Sequence, residues 1–319
     1  MPELNPAAIS SGPGTPYITP QVLLAAPTGV VWSTIGPGAR PSPIEQFNEQ
    51  LNLCRRSSSM IDGYANQPLR ATLDTETLFG PGDLRFQMQP NGNARLLLSR
   101  SPVTFVTGGQ IGMAASFPTQ WTPLDASQFK VATPLIGMFG STVPGGSDNS
   151  GQAVYMAPGN ASWLAGRGGY QVQVSYVNGW PHGSLQAPAA VGDMTIKVDD
   201  CTGWMPPAST GLTSGASGTM YDPMYQETCT VLSASAATGP GVLALAAPLA
   251  YDHAVGVMVS TLPQSIIQAA ILYCVSQALV RGATATIAPG SGGSGDGGKD
   301  AMMYAVEAEE LVHAYRRVI

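Results

Sequence analysis

Apolar side chains recur at three- and four-residue spacing in three separated stretches, and that spacing predicts three amphipathic helices. Over residues 263–281, Ile267, Ile271, Cys274 and Ala278 share one face, and Ile266, Ala270 and Leu279 widen it, so this helix is expected to be mostly buried. Pro263 suits its first position and Gly282 its stop. Over residues 300–318, Tyr304, Ala308, Leu311, Tyr315 and Val318 repeat the pattern. There Asp300 and Glu307 precede Arg316 and Arg317, the order a helix dipole favours. Over residues 44–64, Ile44, Phe47, Leu51, Cys54 and Ile61 keep one face, behind Ser42 as cap and Pro43 in the first turn. Thr19-Pro20 opens a short helix before them.

Between these helices the period changes from three-and-four to two. Residues 69–78, 83–88, 94–99, 103–106 and 169–177 read as strands, with Pro90-Asn91-Gly92 as a hairpin turn. Residues 117–167 show little pattern and read as a long loop region. Residues 194–198, 226–232, 242–245 and 255–260 alternate again, which predicts a small antiparallel barrel or sandwich. The expected fold class is therefore α+β, a helical bundle from the N- and C-terminal segments with a large antiparallel β insertion. Its parts are an extended arm (1–16), a discontinuous helical domain (17–68 and 262–319), a β-rich region with long loops (69–184) and a small β module (185–261). Residues 288–298, Ala-Pro-Gly-Ser-Gly-Gly-Ser-Gly-Asp-Gly-Gly, have the composition of a flexible linker.

Composition narrows the function. Only 11% of the 319 residues are charged, and the net charge is −6, which argues against a broad nucleic-acid-binding face and leaves room only for a local basic patch. No apolar run reaches the length of a membrane-spanning helix, and the N-terminus lacks a basic start followed by an apolar run, so a cytoplasm-like setting is expected. Cysteines at 54, 201, 229 and 274 form no C-x-x-C pair. Cys54 and Cys274 read as small hydrophobes on helix faces, whereas Cys201 and Cys229 could pair inside the β module. Gly290, Gly292 and Gly295 match G-x-G-x-x-G, but a helix precedes them where a nucleotide fold needs a strand. His182, His253 and His313 are scattered, and Asp199-Asp200 would point to opposite faces of a strand. No catalytic, cofactor-binding or metal-ligating residue is expected. Tyr17, Trp32, Trp180 and Trp204 lie, like Trp121 and Trp163, in or beside Gly/Pro-rich loops. There an aromatic either anchors an interface or caps a local core.

Several stretches carry a resemblance. Tyr17-Ile-Thr-Pro-Gln-Val-Leu-Leu-Ala-Ala-Pro-Thr-Gly-Val-Val-Trp-Ser-Thr-Ile35, Ile61-Asp-Gly-Tyr-Ala-Asn-Gln-Pro-Leu-Arg-Ala-Thr72 and the closing Ala-Tyr-Arg-Arg-Val318 resemble the head-to-tail adaptors of tailed bacteriophages. Val174-Ser-Tyr-Val-Asn-Gly-Trp-Pro-His182, Gln226-Glu227-Thr228 and Leu262-Pro263 are similar to the longer adaptors with an inserted β domain. The resemblance implies a virion neck protein, assembled in the host cytoplasm, without enzymatic activity or cofactor and with no membrane contact. Copies would form a ring, usually a dodecamer, between the portal protein and a stopper or tail protein, and genomic DNA would pass through without sequence-specific binding. Tyr315, Arg316, Arg317, Val318 and Ile319 are then the portal-contact candidates, and Tyr17, Trp32, Trp180 and Trp204 the interface aromatics. One alternative is another neck component, a stopper or tail-terminator. Another is a carbohydrate-binding or hydrolytic β protein, which would need paired carboxylates or stacked tryptophans in a cleft.

Overall fold

The protein is seen in a computed structural model that describes residues 15–36, 41–80, 85–88, 94–113, 121–131, 153–156, 170–206, 215–281 and 301–317. Among these residues there are fourteen strands in three antiparallel sheets and four α-helices. This overturns the expectation of a helical bundle carrying a β insertion: the chain is mostly β, and the helices form one of three main cores. The reason lies in the stretch read as loop. Trp121–Leu124 (β5), Phe129–Val131 (β6) and Ala153–Met156 (β7) are strands of three or four residues. That is too short for a two-residue period to stand out, and Pro123 interrupts the first of them.

The first two sheets face each other over one core. Thr72–Gly80 (β1), Tyr170–Asn178 (β8), Val103–Met113 (β4) and β5 form one sheet, in that order. Phe86–Met88 (β2), Ala94–Leu97 (β3), β7 and β6 form the other. β8 shows why the alternation matters: Val172, Val174 and Tyr176 point inward with Leu78, Ile111, Leu96, Val154 and Met156. Its entire length pairs with β1, Thr72 opposite Asn178 through Gly80 opposite Tyr170.

The third sheet has six strands, Thr195–Val198 (β10), Gly241–Leu245 (β13), Glu227–Ala234 (β12), Ser217–Tyr221 (β11), Met258–Ser260 (β14) and His182–Ser184 (β9). Trp204 fills its core with Ile196, Val198, Met220, Val231, Leu243 and Val259. Gly218 is required beneath that ring, since a Cβ there would lie 2.6 Å from the indole. Cys201 and Cys229 are buried free thiols in this core, not a disulfide, and Cys54 and Cys274 are free as well.

The helices are Pro20–Ala25 (α1), Pro43–Ala65 (α2), Gln264–Val280 (α3) and Ala301–Val312 (α4), the last continuing into a 3₁₀ turn at His313–Tyr315. Ser42 and Glu45 close a capping box on α2: Ser42 N–H donates to Glu45 at 2.8 Å and Glu45 N–H to Ser42 Oγ at 3.4 Å. α3 begins one residue after Pro263, which takes the cap position. It is buried over most of its circumference because α2 and α4 both pack on it. Leu53, Cys54 and Ile61 of α2, Ile267, Ile271 and Cys274 of α3, and Ala308 and Val312 of α4 meet in one core, to which the sheets add Trp180, Tyr221 and Met258. Ile44, expected on the inner face of α2, is exposed instead. The arm through residue 14, the turn at residues 90–92, Gly282 and the linker at residues 288–298 lie outside the described residues.

Candidate assembly surface

The segment before α2 straps the helices to the six-stranded sheet. Tyr17 N–H donates to Ser58 Oγ on α2 at 2.8 Å. The Tyr17 hydroxyl donates to Asp62 of α2 and accepts from the Leu69 N–H at 2.8 Å. His182 receives the strap from the sheet side. Its Nε2 lies 2.9 Å from the Pro16 carbonyl and its Nδ1 2.9 Å from Ser260 Oγ. A carbonyl only accepts, so Nε2 carries the proton and Nδ1 accepts from the serine. Burial pushes the His182 pKa below the ordinary histidine range, keeping that tautomer neutral. Thr15 closes the strap by donating to Asp199.

Asp199 and Asp200 are therefore satisfied by protein donors. Ser184 N–H reaches Asp199 at 2.6 Å, and the N–H groups of Thr202 and Gly239 reach Asp200 at 2.8 and 3.1 Å. Among the described residues no group of three or more His, Cys, Asp or Glu side chains is arranged to hold a metal.

The chain's other end lies against α2 and the sheets. Tyr315 packs edge-on to Trp180, centroids 5.4 Å apart, and its hydroxyl lies 2.9 Å from Ser265 Oγ. The Tyr315 carbonyl accepts from Gln67 Nε2 at 3.2 Å, and Arg317 N–H donates to the Ala65 carbonyl at 2.9 Å. The guanidinium of Arg316 sits 5.3 Å over the Tyr64 ring, a cation–π contact on an exposed side chain. Three of the five portal-contact candidates thus gather at the C-terminal end of α2. Val318 and Ile319 lie outside the described residues.

The four interface aromatics are placed differently from the C-terminal residues. Tyr17, Trp32 and Trp180 are buried in the helical core and Trp204 in the six-stranded sheet, so all four are internal to the subunit. The helical layer does expose aliphatic side chains, on other residues. Met302, Met303 and Val306 project from α4, on the side away from Ala308 and Val312, and Val280 is exposed at the end of α3. They stand outside the periodic set, and the one signal for them in the sequence is three large apolar residues off the expected inner face of a helix.

Beside this layer runs an open groove of about 420 Å³, lined by Arg55, Arg56, Ser59 and Met60 of α2 and Gln277 of α3. Glu49 lies at its edge, 3.7 Å from Arg56 and in ion-pair contact with Arg281. Such exposed pairs contribute little stability, so they dress the surface more than they hold it. These features, an apolar ridge, a groove flanked by cations and a docked C-terminal segment, suit contact between macromolecules. No protein-family model, no curated protein and no solved structure matches this chain.

Proposed function

We propose that this chain is a structural subunit of a tailed virion's neck, a head-to-tail adaptor that forms a ring between the portal and a stopper or tail protein. The observation that carries the proposal is the exposed apolar outer face of α4, on a helical layer drawn from both ends of the chain. Contiguous apolar surface on a folded chain marks a place that another chain covers. In a ring each copy meets its neighbour through two different surfaces, which an apolar ridge and a cation-flanked groove would supply. The resemblance of residues 17–35, 61–72 and 314–318 to adaptors gives the ring its place and its dodecameric number. Arg316, exposed at the docked C-terminal segment, is the cation offered to the portal. The net charge of −6 suits a channel in which DNA phosphates find few cations to bind.

The experiment is to label purified tailed particles with an antibody against this chain and image them. Label at the junction of capsid and tail is expected. Label on the capsid faces or the tail tip, or particles without label, refutes the reading. Met302→Ser with Val306→Ser, both exposed, should lower incorporation into particles while leaving the melting temperature of the isolated chain unchanged.

A further inference from the structure

The six-stranded sheet carries a second surface, remote in chemistry from the helical ridge. Its loops present Val191, Met224, Tyr225 and Tyr251, each between 43% and 77% exposed. The rings of Tyr225 and Tyr251 stack with centroids 5.0 Å apart and planes 17° from parallel. Val191 joins them through its N–H, which donates to Asp252, the neighbour of Tyr251, at 2.7 Å. Single exposed apolar side chains are ordinary, but a cluster of four large ones marks a contact site.

The cluster is held in shape by one buried histidine. His253 Nδ1 lies 3.2 Å from Asp222 and Nε2 2.6 Å from Glu227. The other oxygen of each carboxylate anchors a loop: Asp222 accepts from Met224 N–H at 3.0 Å and Glu227 from Ala250 N–H at 2.9 Å. His253 also exchanges two backbone hydrogen bonds with Ala189, at 2.8 and 3.0 Å, which fixes the loop bearing Val191. His253 therefore ties together the three loops that carry the exposed residues, two through its ring and the third through its backbone. A surface fixed before binding loses little conformational entropy on contact.

Charge says what would bind. Residues 185–261 contain six acidic side chains and, apart from His253, a single base, Lys197. Asp193, Asp222, Glu227 and Asp252 all lie on or beside the three loops. Four carboxylates on or beside these loops outnumber the one imidazole. Such a surface repels nucleic-acid phosphates and anionic lipid headgroups. It matches a planar cation that can lie on a tyrosine ring while its N–H edge reaches a carboxylate, which is the chemistry of arginine more than of lysine.

We infer that this tip is a docking site for an arginine-bearing segment of another protein. The inference stands whether or not the chain forms a ring. The test is isothermal titration of the full chain at low salt with the capped peptides Arg-Trp-Arg, Lys-Trp-Lys and Glu-Trp-Glu. Arg-Trp-Arg should bind saturably, Lys-Trp-Lys more weakly and Glu-Trp-Glu not at all. Tyr225→Ser combined with Tyr251→Ser should weaken the arginine peptide about tenfold or more, the sum of two cation–π contacts. Asp252→Asn should weaken it too, and added salt should reduce the wild-type affinity. Circular dichroism should show both variants folded, since all three side chains are at the surface. Any of four results overturns the inference: no saturable binding of Arg-Trp-Arg, equal binding of the acidic peptide, undiminished binding by the tyrosine variant, or competition at these residues by a neutral oligosaccharide or a DNA duplex. A change confined to self-association in sedimentation of the tyrosine variant also overturns it, because the occupant would then be a second copy.

Discussion

Tyr17→Phe tests how the strap is held. The side chain is 1% exposed, and phenylalanine fills the same space, so the substitution removes an oxygen without opening a cavity worth counting. Three contacts are lost: the hydroxyl that donates to Asp62, and the acceptor for Leu69 N–H at 2.8 Å and for Arg70 N–H at 3.3 Å. Leu69 keeps a longer bond to Asp62 at 3.2 Å. A hydrogen bond to a charged acceptor contributes about 1.5–3 kcal/mol and a neutral one about 1, so the expected loss is about 2.5–4 kcal/mol near neutral pH, the long Arg70 contact adding little. The pH dependence follows from Asp62. Burial, the largest cause, raises its carboxyl above the ordinary aspartate range, while the Tyr17 hydroxyl lowers it. With the folded pKa above the unfolded one, ionised Asp62 opposes folding; that cost is absent below the unfolded pKa and grows as pH rises through the folded one. Tyr17→Phe removes a donor to the carboxylate and pushes the folded pKa further up. Its destabilisation should therefore be largest near pH 7 and shrink towards about pH 4. The assay is urea unfolding followed by helical circular dichroism at both pH values, with Asp62→Asn and the double variant completing a cycle. In the Asp62→Asn background the pH-dependent part should vanish. A loss below about 0.5 kcal/mol, the size of an ordinary surface change, or a loss that does not vary with pH, refutes the assignment of Tyr17 and Asp62 as the strap's anchor.

Through His182, by contrast, acidification should weaken the strap. His182 is buried with a lowered pKa, so as pH falls below about 6.5 the unfolded chain takes up a proton that the folded chain refuses. His182→Gln can keep both polar contacts without titrating, so its urea midpoint should approach the wild-type value as pH falls; parallel curves would contradict the argument. All four cysteines should resist a thiol reagent in the native chain and react once it is unfolded in denaturant. Burial pushes the Cys54 and Cys201 thiols up and Cys229 to about 11, and a fast native thiol would contradict that packing. Gly179→Ala should destabilise more than Gly192→Ala. Both have left-handed φ, +82° and +89°, but a Cβ on Gly179 would stand 2.5 Å from the Arg70 carbonyl oxygen, while none of the surrounding atoms lies within 4 Å of one on Gly192. The strain alone costs about 1 kcal/mol, and the clash should at least double it. Equal melting shifts would refute the close approach.

The candidate site was only partly legible. Tyr315 falls on the apolar face of a periodic stretch, and the resemblance to adaptors is what makes it and Arg316 portal-contact candidates. The ridge of Met302, Met303 and Val306 is visible only as apolar residues out of phase with the face that the period defines. The histidine clasp could not be found by spacing. Asp222, Glu227 and His253 have no metal-like interval, and they meet because the β11–β12 and β13–β14 connections come together at one place.

What the sequence determines by itself is whatever neighbouring residues decide among themselves. Helices α2, α3 and α4 follow from apolar period and caps, and β8, β10, β12 and β13 from alternation, because both are properties of a few consecutive residues. Tertiary structure decides which faces are left over. It turned Tyr17, Trp32, Trp180 and Trp204 inward, made strands of β5, β6 and β7 by pairing them with partners, and brought Tyr225 beside Tyr251. Those outcomes depend on contacts between residues far apart in the chain, and the free energy of such contacts is set by the shape of the folded core, to which no local window has access.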